Sequence, residues 1–169
     1  MGTNVEQVYD IALITIKDYR LDNLAKADYS AFLKYLQGLL VKGIPEFTGN
    51  ILGDLTIEKN ITVDEDGNEI TTYSFTRDLT PKEISILAET VVYNWVQSIQ
   101  NDAVLLRAHL GVKEFKQLEI SASMKQRSEY IDKLFEKIHY DITQLQLDNF
   151  DELSFFGKDN NWRRLSVWV

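Results

Sequence analysis

The sequence predicts a mainly α protein: a helical bundle with a long helix in its C-terminal half, one β-hairpin insertion and an extended C-terminal tail. Apolar residues recur at helical spacing over most of the 169 residues, whereas one short stretch alternates and the last twenty residues follow neither period. A chain of this length typically forms one domain. We therefore predict a helical domain over 1–148, with the hairpin near 56–76, and a docking tail over 149–169.

The first predicted helix covers 5–19. Helical spacing is kept there by an apolar stripe: Val5, Val8, Ala12, Ile16 and Tyr19. A second apolar side contains Ile11, Leu13 and Ile14. A helix that is apolar on two sides is expected to be covered on more than one face.

The second predicted helix covers 29–42, with Asp28 as its N-cap. Its apolar stripe contains Phe32, Leu33, Leu36, Leu39 and Leu40. Gly43, followed by Ile44 and Pro45, predicts the end of this helix, because glycine favours the left-handed C′ position and proline cannot continue a helix.

Residues 56–76 change from the helical period to an alternating one. The segments 56–63 and 70–75 are rich in β-branched residues, and 64–69 between them reads Asp-Glu-Asp-Gly-Asn-Glu. This pattern predicts a β-hairpin with an acidic tip. The tip does not match a calcium-binding loop, because Glu69 and Phe75 stand where such a loop needs glycine and a bidentate glutamate.

A central helix is predicted over 81–102. Thr80-Pro81-Lys82-Glu83 forms a capping box with proline at the first helical position. Apolar residues then keep to i, i+3, i+4, i+7 spacing from Ile84 to Ile99. A loop or a short helix is predicted through Leu105–Leu110 and Gly111.

The longest predicted helix covers 119–147. Its apolar residues form a heptad-like seam: Met124, Ile131, Leu134, Ile138, Ile142 and Leu145. Such a helix spans about 40 Å at ~1.5 Å per residue, more than a compact domain of this size needs. We therefore predict that part of the seam contacts a neighbouring subunit. That subunit interface is assigned to Met124, Ile131, Leu134 and Ile138.

The tail over 149–169 is aromatic but has no helical period, and it is too rich in rings for a disordered tail. Its rings are expected to pack either on the chain's own core or on another protein. We assign partner binding to Phe155, Phe156, Trp162, Arg163, Arg164, Leu165, Val167 and Trp168. Trp162 beside two arginines could alternatively stack single-stranded bases. Because Trp and Arg are enriched at protein–protein hot spots, we favour a protein partner.

Composition excludes several classes of protein. The chain has no cysteine, so disulfides, thiolate metal sites and catalytic thiols are excluded. Its 18 Lys+Arg against 26 Asp+Glu give a net charge of −8, which argues against a broad basic face for nucleic acid. We find no N-terminal signal segment and no apolar run of about 20 residues. We therefore expect a soluble protein that folds in a reducing compartment and does not enter a membrane.

No pattern in the sequence predicts catalysis or a cofactor. G-x-S-x-G, P-loop and dinucleotide-binding glycine motifs are all absent from the sequence. His109 and His139 lack the local spacing of metal ligands. Asp18, Asp22 and Asp28 flank helix ends, where aspartate is common as a cap. We predict a protein that is not an enzyme and that holds no metal or cofactor.

Several short sequence segments, in the order in which they occur, resemble those of a known family. They are Asp18-Tyr19-Arg20-Leu21, Asp28-Tyr29-Ser30-Ala31-Phe32, Gly43-Ile44-Pro45-Glu46-Phe47, Phe75-x-x-Asp78-Leu79-x-x-Lys82-Glu83-x-x-Ile86-Leu87, His109-Leu110 with Glu114-Phe115-Lys116, and Arg127-Ser128-Glu129-Tyr130-Ile131-Asp132-Lys133. Over roughly 8–147 the chain resembles small structural proteins from the head-to-tail region of tailed bacteriophages that infect low-GC Gram-positive hosts. We carry over no individual functional residues, because such proteins work through surfaces.

The resemblance implies a head-to-tail connector, or neck adaptor, of the virion. Such a subunit forms a homo-oligomeric ring beneath the portal protein and joins it to head-closure or tail proteins, after assembly in the host cytoplasm. DNA is then only passing cargo, and an acidic chain suits a conduit because anionic walls repel phosphate. The alternatives are a head-closure or tail-completion protein, a cytosolic helical protein-interaction module and a small acid–base enzyme.

Overall fold

A computed structural model describes residues 2–48, 55–63, 69–109 and 120–152. In this part of the chain the elements are α1 (Glu6–Thr15), α2 (Tyr19–Ala27), α3 (Tyr29–Thr48), β1 (Ile57–Val63), β2 (Glu69–Phe75), α4 (Pro81–His109) and α5 (Ile120–Glu152). Helix α4 lies at the centre, where it contacts α1, α3 and α5, while α2 packs on α3. The predicted fold class, mainly helical with one two-stranded antiparallel hairpin, is confirmed.

The predicted first helix is two helices in the structure. Helix α1 ends at Thr15, and the backbone is extended at Ile16 and again at Asp18. The Asp18 carboxylate accepts a hydrogen bond from the backbone N–H of Arg20 at 2.9 Å, which makes it the N-cap of α2. The continuous helix over 5–19 is therefore wrong, because a cap side chain within the apolar stripe starts a second helix.

The described residues leave most of the second apolar side of the first helix exposed, so the covering of this side stays a prediction. Helix α1 buries Val8, Tyr9 and Ala12. On its other side, Ile11 is 41% exposed and Ile14 is 74% exposed. This apolar pair lies on the surface of the described structure.

Helix α3 begins where the sequence predicts but ends later. Asp28 accepts a hydrogen bond from the backbone N–H of Ala31 at 2.9 Å, which confirms it as the N-cap. The predicted end at Gly43 is wrong, since the helix runs through Pro45 to Thr48. Gly43 serves close packing instead of termination: a Cβ atom there would lie 2.0 Å from the Thr90 Cγ2 methyl of α4.

The hairpin forms with the predicted strands, in a register that pairs Ile57 with Phe75 and Val63 with Glu69. The N-terminal segment extends it, because an isolated bridge joins Asn4 to Ser74 on the outer side of β2. Two backbone bonds complete this contact, from Val5 N–H to the Tyr73 carbonyl at 3.0 Å and from Phe75 N–H to the Thr3 carbonyl at 2.9 Å. The hairpin is therefore anchored to the bundle through β2, while β1 is exposed except at Ile57.

The capping box at the start of α4 is confirmed. The Thr80 N–H donates to the Glu83 carboxylate at 2.7 Å, and the Glu83 N–H donates to the Thr80 hydroxyl at 3.3 Å. The Arg77 guanidinium pairs with the same carboxylate at 2.5 Å. Helix α4 continues to His109, so the predicted loop or short helix from Leu105 is wrong over its first residues. Residues 110–119 lie outside the described residues.

Helix α5 packs its predicted seam on α4. Leu134, Ile138, Ile142 and Leu145 are buried, and Ile131 is partly buried against the same core. Two ion pairs join the helices beside the seam, Lys137 with Glu89 and Lys82 with Asp148. Helix α5 is 33 residues long, about 50 Å at ~1.5 Å per residue. The predicted domain boundary at 148 falls four residues before the end of α5 at Glu152.

Candidate interaction surfaces

The predicted partner-binding residues all belong to the end of the chain. Phe155, Phe156, Trp162, Arg163, Arg164, Leu165, Val167 and Trp168 lie outside the described residues. Their assignment to a docking tail stays a prediction.

The predicted subunit-interface residues belong to the α5 seam, and the structure covers most of them from within the same chain. Leu134 is 8% exposed and Ile138 is 2% exposed, whereas Met124 is half-buried. Side chains covered to this extent by α4 offer almost no area to a second subunit. The interface prediction stays untested, but on α5 the outward face is the one that remains accessible.

The outward face of α5 carries two large apolar residues among charged ones. Tyr140 is 63% exposed and Leu147 is 53% exposed. They are seven residues apart and lie on one side of the helix, about 180° from the seam at ~100° per residue. We call this pair the outer stripe of α5.

An aromatic cluster lies where α4 meets α5. The Phe135 ring lies 6.1 Å from the Tyr93 ring and 4.1 Å, edge to face, from the His139 imidazole. Gln97 donates to the Tyr93 hydroxyl at 2.7 Å, and Lys42 of α3 donates to Gln97 at 3.3 Å. The cluster and its hydrogen bonds cross three helices, and half-exposed Phe135 leaves part of it accessible.

The Asp18 cap lines a cavity of about 190 Å³ with Arg20, Trp95 and Asp102 among its walls. Burial alone would raise the pKa of the Asp18 carboxyl. Hydrogen bonds from the backbone and the guanidinium of Arg20, together with one from Trp95, outweigh burial and hold this pKa below its ordinary value. The carboxylate is therefore kept ionised as a cap, which agrees with the capping interpretation of Asp18 and Asp28.

A groove of about 610 Å³ lies between the hairpin and α3. Its walls are Glu6 from α1, Tyr29, Ser30, Leu33, Lys34 and Gln37 from α3, and Lys59, Thr71, Thr72 and Tyr73 from the hairpin. We call it the hairpin groove. A smaller cavity shares five of these residues and reaches Val5 and Tyr9 beneath them. Burial, followed by the nearby charge of Glu6, raises the pKa of the Tyr9 hydroxyl, which stays neutral as a wall of this cavity.

The hairpin groove brings together residues that sequence reasoning missed. Lys34 of α3 and Lys59 of β1 both line it, although they are 25 positions apart in the sequence. Neither ammonium group has an ion-pair or hydrogen-bond partner among the described residues. No local signal could have found this pair, because only the packing of the hairpin beside α3 makes them neighbours.

Two kinds of feature are absent from the residues that the structure describes. Within them, no cluster of three or more His, Cys, Asp or Glu side chains is arranged to hold a metal ion. The described helices also lack the long apolar stretch that crossing a bilayer requires. Comparison of the chain with protein-family models, with curated proteins and with solved structures gives no match.

Proposed function

We propose that this chain is a structural virion protein, a head-to-tail connector that forms a homo-oligomeric ring between the portal and the head-closure or tail proteins of a tailed bacteriophage. The observation that carries the proposal is the outer stripe of α5. A helix of about 50 Å buries one side in its own bundle and presents Tyr140 and Leu147 on the other. Exposed apolar residues on a rigid helix suit a lateral contact with a second subunit.

A closed ring needs two different surfaces on each subunit, because its contacts are head-to-tail. Ile11 and Ile14 on α1 supply the second surface. Helices α1 and α5 both pack on α4 and make no extended contact with each other. The apolar pair of α1 and the outer stripe of α5 are thus separate, and the α1 pair of one subunit meets the α5 stripe of the next.

The charge of the chain agrees with a conduit for DNA. Its net charge of −8 disfavours adhesion of a phosphate backbone to the ring wall. In this proposal the tail, with Trp162 and Trp168 as its largest side chains, docks on the portal and orders when it binds. DNA is cargo that passes through the ring and is not a specific ligand.

The test uses the full chain in mass photometry and in cryo-electron microscopy with the portal protein. We expect a ring of the wild-type chain with the portal. Ile14→Lys on α1 and the double variant Tyr140→Lys/Leu147→Lys on α5 should each stop assembly at the monomer. Val41→Lys, which changes a similarly exposed apolar residue on α3, is the matched control and should still assemble.

Mixing the two blocked variants distinguishes a head-to-tail ring from a symmetric dimer. Each blocked chain keeps one intact surface, so the mixture should form heterodimers that cannot grow. A wild-type chain that stays monomeric and shows no affinity for the portal would refute the proposed function. Assembly that survives both sets of lysine substitutions would refute the assignment of the two surfaces.

A further inference from the structure

Two lysines without a partner among the residues that the structure describes converge on the hairpin groove, in a chain that is acidic overall. Lys34 extends from α3 and Lys59 from β1, and both line the same cavity of about 610 Å³. Against them stands one carboxylate, that of Glu6, so the charged groups of the groove sum to +1 while the chain carries −8. The groove is therefore a local site of positive charge, which favours an anionic occupant.

The remaining walls of the groove suit a polypeptide segment. Its volume falls within the range of about 300–1,000 Å³ that ligand sites have. Leu33 and Tyr73 are half-buried and form an apolar floor, while Gln37, Thr71 and the Tyr29 hydroxyl can bond to a main chain. An extended segment that carries carboxylates would satisfy both the lysines and these polar groups.

The chain itself contains such a segment. Asp64-Glu65-Asp66, at the hairpin tip, is the one run of three consecutive acidic residues in the sequence. Val63, where β1 ends, lies four residues beyond Lys59, about 13 Å along the strand at ~3.3 Å per residue.

We propose that the acidic tip of one subunit, residues 64–66, occupies the hairpin groove of a second copy, with its carboxylates facing Lys34 and Lys59. This inference rests on the proposed ring and adds to it a specific contact that fixes the head-to-tail orientation of neighbouring subunits. The α1 and α5 surfaces supply apolar area, whereas the tip and groove supply charge complementarity, which chiefly determines partner choice and association rate.

A charge exchange in the full chain tests the contact. Lys34→Glu/Lys59→Glu and Asp64→Lys/Asp66→Lys should each weaken assembly by about tenfold or more, because two attractions become two repulsions. A chain with all four changes should recover assembly. Lys17→Glu/Lys26→Glu, which alters the net charge as much as the groove variant but at exposed sites outside the groove, should assemble like the wild type.

A second measurement separates this inference from the ring itself. A labelled synthetic peptide of residues 61–72 is titrated with the full chain and followed by fluorescence anisotropy. The groove variant should bind it at least about tenfold more weakly, and 1 M salt should weaken wild-type binding by screening. Glu6→Gln should bind the peptide more tightly, because it removes the one opposing charge of the groove.

The outcomes are distinct. A ring that assembles equally well in the groove variant, with no peptide binding, overturns the inference and leaves the connector proposal intact. Peptide binding that depends on Lys34 and Lys59 supports the tip contact even if the chain fails to assemble on a portal. Competition by inorganic phosphate, combined with a tip variant that assembles normally, would mean that the groove takes another anion and would also overturn the inference.

Discussion

The contact between α3 and α4 at Gly43 makes the sharpest test of the fold. Gly43 is buried within α3, and a Cβ atom there would lie 2.0 Å from the Cγ2 methyl of Thr90 and 3.1 Å from the amide nitrogen of Asn94. Real Cβ atoms do not approach a carbon atom to 2.0 Å, so Gly43→Ala must push the two helices apart. We expect the substitution to destabilise the protein.

Gly38→Ala in the same helix is a matched control. Gly38 is exposed, and an added Cβ would meet nothing within 4 Å. Both substitutions replace a helical glycine with alanine, which by itself stabilises a helix by about 0.5–1 kcal/mol. Gly38→Ala should show this gain. Gly43→Ala adds an overpacking cost of about 1–3 kcal/mol, so the net result should be a loss of up to about 2.5 kcal/mol in the free energy of unfolding.

Urea unfolding, followed by far-UV circular dichroism, measures both variants and a double-mutant cycle with Thr90→Ser. That change removes the methyl group that clashes but keeps the hydroxyl, which donates to the Ile86 carbonyl at 2.9 Å. In the Thr90→Ser background, Gly43→Ala should cost about 1 kcal/mol less. If Gly43→Ala instead stabilises the protein as much as Gly38→Ala does, the close approach of α3 and α4 is wrong.

Three further changes test other contacts by the same unfolding measurement. Glu83→Gln should lower the free energy of unfolding by about 1–3 kcal/mol at neutral pH, and by progressively less as the pH falls. Although burial opposes ionisation, hydrogen bonds lower the pKa of Glu83 in the folded state, so its contribution is present above the unfolded value of about 4.3 and is lost as the pH falls through the folded value. Pro45→Ala should raise the free energy of unfolding by about 1 kcal/mol or more, since it restores a backbone N–H within α3. A lower free energy of unfolding would contradict a helix that continues to Thr48. Lys137→Ala should lower the free energy of unfolding by about 1 kcal/mol, because the Glu89 carboxylate, which has one buried and unbonded oxygen, loses its cation. Lys82→Ala breaks an exposed ion pair and should change the free energy of unfolding by less than about 0.5 kcal/mol. Equal losses in the two variants would refute this difference.

The features that sequence predicted correctly have causes within a few residues of chain. The capping box joins Thr80 to Glu83, three residues away, and the Asp28 carboxylate caps the backbone N–H of Ala31, also three residues away. The hairpin follows from alternation on both sides of a turn-rich segment. The α5 seam is predicted by the spacing of apolar residues along one helix. Its burial could be predicted as well, because an apolar helix face is expected to pack on the core.

The failures have causes that lie elsewhere in the fold. Gly43 has the sequence signature of a helix end, but Thr90 and Asn94, about 50 residues away, determine its role. The Asn94 amide donates to the Leu39 carbonyl at 2.9 Å, which holds α4 against α3 at the turn where glycine allows the approach. A stop signal and a close-packing glycine look alike in one sequence, because the partner helix is not part of the local pattern.

The same reasoning explains which parts of the surface could be predicted. The apolar residues of α1 were visible in the sequence, but that Ile14 is exposed depends on how many neighbours the bundle supplies. The convergence of Lys34 and Lys59 depends on the position of the hairpin, which no periodicity encodes.

The position of the hairpin groove is fixed by α4, although α4 contributes no residue to it. One wall, α3, is held to α4 by the Gly43 contact and by the bond from Asn94. The other wall, the hairpin, is held to the start of α4 through the pairing of β2 with residues 3–5 and through the Leu79 N–H, which donates to the Thr3 hydroxyl at 2.7 Å. Both walls are therefore connected to the same helix. Each of these connections reduces the ordering cost that the groove pays when the tip binds, so more of the charge complementarity is available to select the head-to-tail arrangement of subunits.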